Sequence, residues 1–580
     1  MRSARRVACL AACVAAFVQA GCATHAASRD AEVADAAADA ERAVTADTLR
    51  APIRFLADDA LEGRGPGTRG DVLARLYIAS ALQLLGVEPA LPGGFEQPVE
   101  LLGVTTRPPG RWTFRAGGRR LTLDGAHDFV VASGAAREEV AVDDAEVVFV
   151  GYGIEAPEYG WDDFKGADLR GKVLLFLNDD PDWDPSLFAG DRRLYYGRWT
   201  YKYESAARRG AAGAIVVHTT DSAGYPWQTV QTSWRGENSR LASAPQGRGL
   251  ALEAWLQEDA ARSLVALGGK ELDELIVAAR RRDFVPVPLG VTTSLRLTST
   301  VRRYATANVV GVLRGSDPVL REQYVAYSAH HDHLGTARDA TGALQIHNGA
   351  LDNAAGVAQL LAVARAFAAL PEPPRRSVLL VATAAEEQGL LGAEAFVADP
   401  PVPLESVVAN VNVDGGNVFG RTRDLGVVGL GKSTLDRAVR EAASRQGRTL
   451  SDDPFPDRGM FYRSDQFSFA RAGVPAVFLR PGVDFVGRPP GWGREQVEAW
   501  EERHYHQPSD DYDPSWDLRG MVDDARLAFV VGLLVANEPQ APCWLPGDEF
   551  APRRPCRAGP AARTTTSVLL PQSSSGRPSG

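Results

Sequence analysis

The chain has 580 residues, a net charge of −10 at pH 7 and 45% hydrophobic residues, which is typical of a globular protein with more than one domain. The acidic balance argues against a nucleic-acid-binding surface. Five cysteines in so long a chain exclude a disulfide scaffold, and the overall composition excludes collagen, coiled coil and wholesale disorder.

The N-terminus has the layout of an export signal. Three arginines precede an uncharged stretch, Val7–Val18, which is too short to span a bilayer. The stretch is followed by Gln19-Ala20-Gly21-Cys22, which resembles a bacterial lipobox with Gln19 in place of the usual Leu. We therefore expect a signal peptide over 1–21, a tether over 22–47, and an exported periplasmic or cell-envelope lipoprotein attached to the membrane through a lipidated Cys22. A soluble secreted protein is the alternative.

The other cysteines can be assigned individually. Cys9 and Cys13 lie in the predicted signal peptide, which leaves Cys543 and Cys556. In an oxidising compartment this late pair is a candidate for a local disulfide bond, although the sequence alone does not prove the pairing. From Arg557 the chain is rich in Ser, Thr, Pro and Gly, so we expect the C-terminal segment 541–580 to end in disorder.

The pattern of predicted elements changes along the chain. Residues 48–104 begin with a helical pattern, which a glycine-rich loop at Glu62–Gly67 interrupts. Residues 105–302 contain a helix-like run at Glu204–Gly210 and short apolar runs bounded by Gly and Asp, which predict strands. These runs are Val147–Val150, Val173–Leu177 and Ala214–Val217. We expect this part to be a separate insertion.

Strands and helices alternate over residues 303–540. Strands are predicted at Tyr324–Ala329, Val378–Ala382 and Val407–Val413, and helices at Asn353–Ala369 and Leu390–Val397. This order predicts an α/β fold with a mostly parallel twisted sheet and helices on both faces. Such sheets bind ligands at the carboxyl ends of their strands.

Polar groups follow each of these predicted strands. His330 and Asp332 follow the first strand, Glu386 and Glu387 the second, and Asp414 the third. Asp352 precedes a predicted helix, and His506 lies in a loop. A mixture of His and carboxylate ligands suits zinc. Two adjacent buried glutamates would repel each other without a cation. Neighbouring strand-end side chains point in different directions, so one glutamate can bind a metal while the other faces the substrate water.

These segments resemble the co-catalytic zinc aminopeptidases of peptidase family M28. The segments that carry the resemblance are His330-His331-Asp332, Gly349–Gly356, Glu386-Glu387, Asn412-Val413-Asp414, Tyr505–Asp510 and, as an N-terminal lead-in, Leu56–Arg64. Residues 105–302, through Gly151–Ile154 and Gly210–Val217, resemble a β-rich protease-associated (PA) domain inserted before the catalytic sheet. The resemblance implies a zinc-exopeptidase type of sheet.

The resemblance also implies two zinc ions per chain. Five positions would supply the ligands: His330 and Asp414 for one ion, Glu387 and His506 for the other, and Asp352 as a bridge. The peptide bond between Asp352 and Asn353 is often cis in this family. Asp332 would hydrogen-bond to His330, and Glu386 would be the general base for a water molecule between the two ions.

The implied activity is the removal of N-terminal residues from peptide substrates. We expect the specificity pocket to be built partly from Tyr462–Gln466 and the loop Gly482–Glu495. Three departures from the family pattern, at His331, Leu351 and Gln466, are expected to affect pocket shape more than the reaction. His333 and His347 are nearby histidines that are not assigned as ligands, and we expect their side chains to lie behind the ligands or at the surface.

Three other functions remain open. A zinc carboxypeptidase of the same fold should present Arg or Lys to the substrate carboxylate, whereas an aminopeptidase should present an acidic group to the amine. A glutaminyl-cyclase-like acyltransferase shares the fold but uses one zinc ion. A receptor-like relative without catalysis would be expected to lose part of the site. The sequence does not indicate an oligomeric state.

One further motif suggests a nucleotide site. Gly426–Ser433 matches the P-loop pattern G-x-x-x-x-G-K-[ST] in full. A P-loop requires an apolar strand just before its first glycine, but here the apolar pair Val427-Val428 lies inside the motif. We therefore expect no nucleotide binding.

Overall fold

Two β-sheet regions that share one long strand organise the chain. The computed structural model describes residues 37–125, 127–184, 187–234, 236–243, 249–339 and 341–556. The predicted signal peptide, Cys22 and the segment after Cys556 lie outside these residues. Within the described end of the expected tether, Ala40 and Val44 are fully buried.

The structure has strands and α-helices throughout the described residues. The strands are β1 Glu88–Pro89, β2 Glu96–Arg107, β3 Arg111–Ala116, β4 Arg119–Asp124, β5 Phe129–Ala132, β6 Glu139–Phe149, β7 Glu155–Ala156, β8 Trp161–Asp162, β9 Val173–Leu177, β10 Gly213–His218, β11 Glu237–Leu241, β12 Leu252–Gln257, β13 Val287–Leu313, β14 Tyr324–His330, β15 Gly335–Arg338, β16 Leu344–His347, β17 Ser377–Thr383, β18 Val407–Asn412, β19 Asp424–Val428, β20 Thr449–Asp452 and β21 Ala476–Pro481. The helices are α1 Ala46–Leu56, α2 Arg69–Leu84, α3 Trp199–Arg208, α4 Thr220–Ala223, α5 Trp227–Ser233, α6 Glu258–Leu267, α7 Leu272–Ala279, α8 Ala355–Ala368, α9 Leu391–Ala398, α10 Leu435–Arg445, α11 Gln466–Arg471, α12 Trp492–His504 and α13 Arg519–Asn537.

The region that we call the catalytic sheet has the strand order β2–β13–β17–β14–β18–β21–β19–β20. Its central strands β17, β14, β18 and β21 are parallel, and antiparallel pairs extend both sides. Val325 and Tyr327 of β14 pack in one apolar cluster with α8 and α13, whereas Ala326 packs with α9 and α11 on the opposite face. Successive strand residues face opposite sides, so the sheet is covered by helices on both faces, as predicted.

Residues 105–302, which we call the inserted segment, contribute most of the second sheet. Its strand order is β5–β12–β10–β9–β6–β13, with β12, β10, β9 and β6 parallel. The two strands β2 and β13 are paired from Glu96 to Arg107 and run from one sheet region into the other. Neither expected boundary of the insertion, at 104/105 or at 302/303, therefore coincides with a break in secondary structure.

A disulfide bond and the character of the helices are two further features of the described residues. Cys543 and Cys556 form a disulfide bond, as predicted. Among the helices of the described residues, none is long and apolar enough to cross a membrane.

Candidate metal centre

Neighbouring parallel strands end at the same edge of the catalytic sheet. His330 is the last residue of β14, and its register partner is the last residue of β17. Glu386 and Glu387 come shortly after β17, and Asp414 comes shortly after β18, the other neighbour of β14. The parallel register thus brings an imidazole and three carboxylates together, although they are far apart in sequence.

Asp352 lies between two histidines. Its Oδ1 atom is 3.2 Å from Nε2 of His330, and its Oδ2 atom is 3.4 Å from Nε2 of His506. It lies in a tight turn, Ala350–Ala354, just before α8, and its peptide bond to Asn353 is cis. Each oxygen of this carboxylate therefore faces a different imidazole, which is what a bridging ligand requires.

Each of these histidines also contacts a second carboxylate. Nε2 of His330 is 3.3 Å from Oδ1 of Asp414, and Nε2 of His506 is 3.0 Å from Oε2 of Glu387. Two ligands of a tetrahedral zinc ion, each at about 2.0–2.2 Å, lie about 3.3–3.6 Å apart, which is close to these separations. Candidate ligand atoms of His330, Asp352 and Glu387 also lie within 4.8 Å of one another. This donor set fits zinc.

The carboxylates around His330 and His506 favour the binding of a cation. Burial by itself lowers the pKa of His506, but Glu387 and the bridging aspartate outweigh it and raise the pKa to about 10. Burial also opposes protonation of His330, yet Glu386 and Asp414 raise its pKa well above the usual range. The surrounding carboxylates therefore favour a positive charge at this centre, which a metal ion would supply.

The carboxylate of Asp332 orients the glutamate pair. It accepts hydrogen bonds from the backbone N–H groups of Glu386, at 3.0 Å, and Glu387, at 3.3 Å. The hydrogen bond that we expected between this carboxylate and His330 is not formed, since Oδ1 is 3.8 Å from Nδ1. The backbone oxygen of Asp332 is 3.2 Å from that nitrogen instead. The carboxylate turns towards the glutamates because their two N–H groups converge on it.

Glu386 borders open space while remaining mostly buried. It is 9% exposed, and its Oε2 atom is 3.9 Å from Nε2 of His330. Burial is the main cause that raises the pKa of Glu386 well above its usual range. A carboxyl group with a raised pKa can both accept and return a proton near neutral pH.

The two spare histidines lie behind the centre. Nδ1 of His333 is 2.6 Å from Oε1 of Glu387, and the His333 side chain is fully buried. His347 is 4% exposed, and burial together with the charges of His333 and His506 lowers its pKa to about 4. His333 thus supports a proposed ligand, while His347 stays neutral.

Arg64, which sequence reasoning did not identify, holds the backbone beneath the site. Its buried guanidinium donates hydrogen bonds to the backbone oxygens of His331, at 2.8 Å, Asn348, at 2.6 Å, and Gly349, at 3.0 Å. The preceding Gly63 has a φ of +68°, and a Cβ there would lie 2.4 Å from the backbone oxygen of His347. The glycine-rich loop therefore ties the end of β14 to the turn that carries Asp352. The conspicuous Gly-Arg-Gly pattern was the available signal for this role.

His331 faces away from the reaction site. Its Nε2 atom is 3.1 Å from Oδ1 of Asp71 on α2, and both side chains are fully buried. Asp71 also accepts hydrogen bonds from Thr306 Oγ1, at 2.8 Å, and from the backbone N–H of Gly67, at 2.9 Å. The expectation that this position shapes the pocket was wrong, because successive residues at a strand end point to opposite sides.

Two pockets meet at the centre. The first, with a volume of about 150 Å³, reaches Asp352 and Asp414, and its wall is largely apolar, with Phe455, Met460 and Phe485 among its residues. The second, of about 250 Å³, lies between the inserted segment and the catalytic sheet. We call them the apolar pocket and the interface pocket. Both are lined by Glu386 and Glu387.

The expected specificity segments line the apolar pocket only in part. Arg463 and Ser464 contribute to its wall, as do the loop residues Gly482, Val483 and Phe485. Gln466 is buried and accepts a hydrogen bond from Asn412, at 2.8 Å. The Trp492 ring packs against Phe485, with ring centroids 5.3 Å apart, and supports the wall from behind.

The inserted segment also reaches a proposed ligand. Oγ of Ser233, the last residue of α5, is 2.9 Å from Nδ1 of His506. Gln228 on the same helix donates a hydrogen bond to the side-chain oxygen of Gln507, at 3.3 Å. Nothing in the local sequence around Ser233 indicated this role.

The P-loop motif has no phosphate-binding geometry. Val427 and Val428 belong to β19, so the first half of the motif is a strand and not a loop. Lys432 pairs with Asp548, at 2.8 Å, and with Glu549, at 2.9 Å. Its ammonium group is therefore neutralised within the chain.

The fold and the site define an α/β protein with a candidate two-metal centre at the carboxyl edge of its sheet. Residues 308–530 match the model of peptidase family M28. The aminopeptidase from Aneurinibacillus sp. strain AM-1 is structurally similar over 87% of this chain and 97% of its own, with a TM-score of 0.51 and 18% identity. At that identity, the likeness shows a shared fold.

Two curated relatives match shorter stretches. Aminopeptidase NAALADL1 of Mus musculus is 30% identical over 132 residues, which is 22% of this chain. The vacuolar membrane protease of Lachancea thermotolerans is 28% identical over 179 residues, which is 30% of this chain. The matched stretch amounts to 16% of the length of each relative.

Proposed function

We propose that the chain is an exported di-zinc aminopeptidase that hydrolyses N-terminal residues from peptides. The observation that carries the proposal is the position of Asp352, whose two oxygens face His330 and His506. In this proposal His330 and Asp414 bind one zinc ion, Glu387 and His506 bind the other, and Asp352 binds both. The match of residues 308–530 to the model of peptidase family M28 supports a metallopeptidase.

Glu386 is the proposed general base. Bound zinc would polarise the peptide carbonyl, stabilise its developing negative charge and lower the pKa of the attacking water. Glu386, held by the contact of Asp332 with its backbone, would take a proton from that water and return it to the leaving amine. Its position beside both pockets supports this role, since the scissile bond must lie where they meet.

The two pockets would hold the residues on either side of the scissile bond. The apolar pocket has an aromatic and aliphatic wall, which favours an apolar substrate side chain through burial of its surface. A carboxypeptidase is the second candidate, and Arg198 and Arg463, which line the interface pocket, favour it. A glutaminyl-cyclase-like acyltransferase would need one zinc ion, and a receptor-like relative would need no intact base.

A substrate screen with metal analysis tests the proposal. Aminoacyl reporter substrates should be cleaved, and N-blocked and C-terminal reporters should be cleaved far more slowly. Purified protein should contain about two zinc ions per chain. A metal content near zero, or cleavage of N-blocked reporters alone, would contradict the aminopeptidase proposal.

We also propose that Cys22 is acylated after export and that the insertion of residues 105–302 contains a PA domain. The signal layout of residues 1–21 supports export. Fractionation of cells together with fatty-acid labelling tests this proposal. Label should be incorporated into the natural chain and not into Cys22→Ser, whereas release of the unlabelled natural chain into the medium would favour the soluble secreted alternative.

A further inference from the structure

A buried arginine of the inserted segment has no partner within the described chain. Arg198, which immediately precedes α3, is 8% exposed. In the described residues its guanidinium forms no ion pair and no hydrogen bond, and its Nε atom is fully buried without an acceptor. Burial, and then the charge of Arg463, lower the pKa of Arg198 to about 9. An uncompensated buried charge is unfavourable for folding, and a bound anion would compensate the charge of Arg198.

A second arginine lies close to it. Arg463 Nη2 donates a hydrogen bond to Tyr505 Oη, at 3.2 Å, and its guanidinium lies 5.3 Å from the ring centroid of Tyr225. Within the described part of the chain, Arg463 also forms no ion pair with a carboxylate. Two acidic residues of the same pocket, Glu204 and Glu394, each lie 3.9 Å from Arg471 instead.

Both arginines line the interface pocket, which also reaches Glu386, Glu387 and His506. A guanidinium presents its N–H groups in a planar fork that matches the two oxygens of a carboxylate. The pocket thus combines an uncompensated positive charge with direct access to the proposed reaction centre. A peptide bond held at Glu386 would place one flanking residue in the apolar pocket and the other in the interface pocket.

We propose that Arg198 and Arg463 form an anion subsite that binds a carboxylate of the peptide substrate. The proposal rests on the proposed function and narrows its substrate class to peptides with a negative charge one residue from the scissile bond. This carboxylate can be the C-terminal group of a short peptide or the side chain of Asp or Glu. Because Arg198 comes from the inserted segment, that segment would select the substrate.

A set of matched peptides tests the subsite. The set consists of an apolar dipeptide, its C-terminal amide, and a dipeptide amide with Asp as its second residue. The chain should cleave the free acid, the Asp amide or both with a kcat/KM at least about tenfold above that of the apolar amide, because hydrogen bonds between charged groups are strong. Preference for the free acid identifies the C-terminal group, and preference for the Asp amide identifies the side chain. Equal cleavage of all three would overturn the proposal.

Variants distinguish the subsite from a structural role. Arg198→Gln and, separately, Arg463→Gln should lower the ratio of kcat/KM for the favoured acid to kcat/KM for the apolar amide by about tenfold or more. Arg281→Gln, which removes an exposed arginine of the inserted segment paired with Asp283, is the matched control and should change neither. An equal loss on acid and amide in both subsite variants would overturn the proposal. The melting temperature of Arg198→Gln should not fall, since the substitution removes an unpaired buried charge.

Binding separates failure of the subsite from failure of the proposed function. In the zinc-loaded Glu386→Gln chain, Trp199 and Trp234 of the interface pocket give a fluorescence signal for peptide binding. The favoured acid should bind about tenfold more tightly than the apolar amide, and Arg198→Gln added to this chain should remove the difference. This difference in binding would support the subsite even if the natural chain cleaved no peptide. The lack of cleavage would then count against the proposed function alone. Equal binding of acid and amide would overturn the subsite.

Discussion

Ser233 Oγ lies 2.9 Å from Nδ1 of His506, across a sequence separation of 273 residues. The other ring nitrogen of His506 faces Glu387 and Asp352. A group that accepts a hydrogen bond from Nδ1–H fixes the tautomer that leaves Nε2 free to bind a metal. The inserted segment therefore touches the proposed metal centre directly.

Loss of the Ser233 hydroxyl should weaken metal binding. We expect Ser233→Ala to reduce the affinity for the zinc ion at His506 by about 10- to 100-fold, as measured by competition with a chelator. Thr232→Ala is the matched control, because Thr232 Oγ1 donates to the backbone of its own helix, at 3.0 Å from the Gln228 oxygen. Equal zinc affinity in Ser233→Ala and the natural chain would show that the contact does not position the ligand.

Glu386→Gln should remove catalysis and keep the metal. Without a carboxylate to take up the proton, kcat should fall by about 100- to 10,000-fold, while zinc content stays at the natural level. Steady-state kinetics and elemental analysis measure the two quantities. The exposed Glu405 offers a control through Glu405→Gln, and retained turnover in Glu386→Gln would mean that another group is the base.

Asp352→Ala should affect both metal positions together. Since each oxygen of Asp352 faces a different histidine, the substitution should lower zinc content from about two ions per chain to less than one. Elemental analysis after dialysis provides the measurement. Loss of a single ion, with the other retained in full, would indicate that Asp352 is not a bridge.

Zinc loading should release protons at pH 7. Nearby carboxylates raise the pKa of His506 to about 10 and the pKa of His330 well above its usual range, so protons compete with zinc for these imidazoles and must be lost when zinc binds. Calorimetric titration in buffers of different ionisation enthalpy should report about two protons released by these residues. The affinity should therefore rise with pH across the neutral range, and a pH-independent affinity would contradict the assignment.

The buried pair of Asp71 and His331 should matter for stability. Asp71→Ala leaves His331 without its partner, and we expect the free energy of unfolding to fall by about 3–5 kcal/mol in chemical denaturation. Burial opposes ionisation of Asp71, but His331 and Arg75 outweigh it and lower its pKa, so its contribution should be lost as the pH falls through that value. Asp168→Ala, at an exposed ion pair, is the control and should change stability little. An equally small effect of Asp71→Ala would show that the pair contributes little.

Part of the fold and of the candidate site was predictable from local patterns. The strands β9, β14 and β17 lie within a residue of their predicted bounds, since buried parallel strands are continuous apolar runs between turn residues. The boundaries of the inserted segment were less predictable. The long strand β13 has one side-chain pattern in its first part and another in its second, because the two parts are covered differently. This change of pattern suggested a domain boundary at a point where the strand is continuous.

The sequence by itself determined which side chains stand at the carboxyl edge, because the end of each parallel strand is a local property and parallel register brings those ends together. Only the tertiary structure decided what these side chains contact. The carboxylate of Asp332 faces two backbone N–H groups instead of His330, and His331 faces α2 instead of the pocket. From the inserted segment, Ser233 contacts the proposed ligand His506 and Arg198 lines the interface pocket, and both positions depend on residues that are distant in sequence. No local periodicity encodes such contacts, since they depend on how the two sheet regions pack against each other.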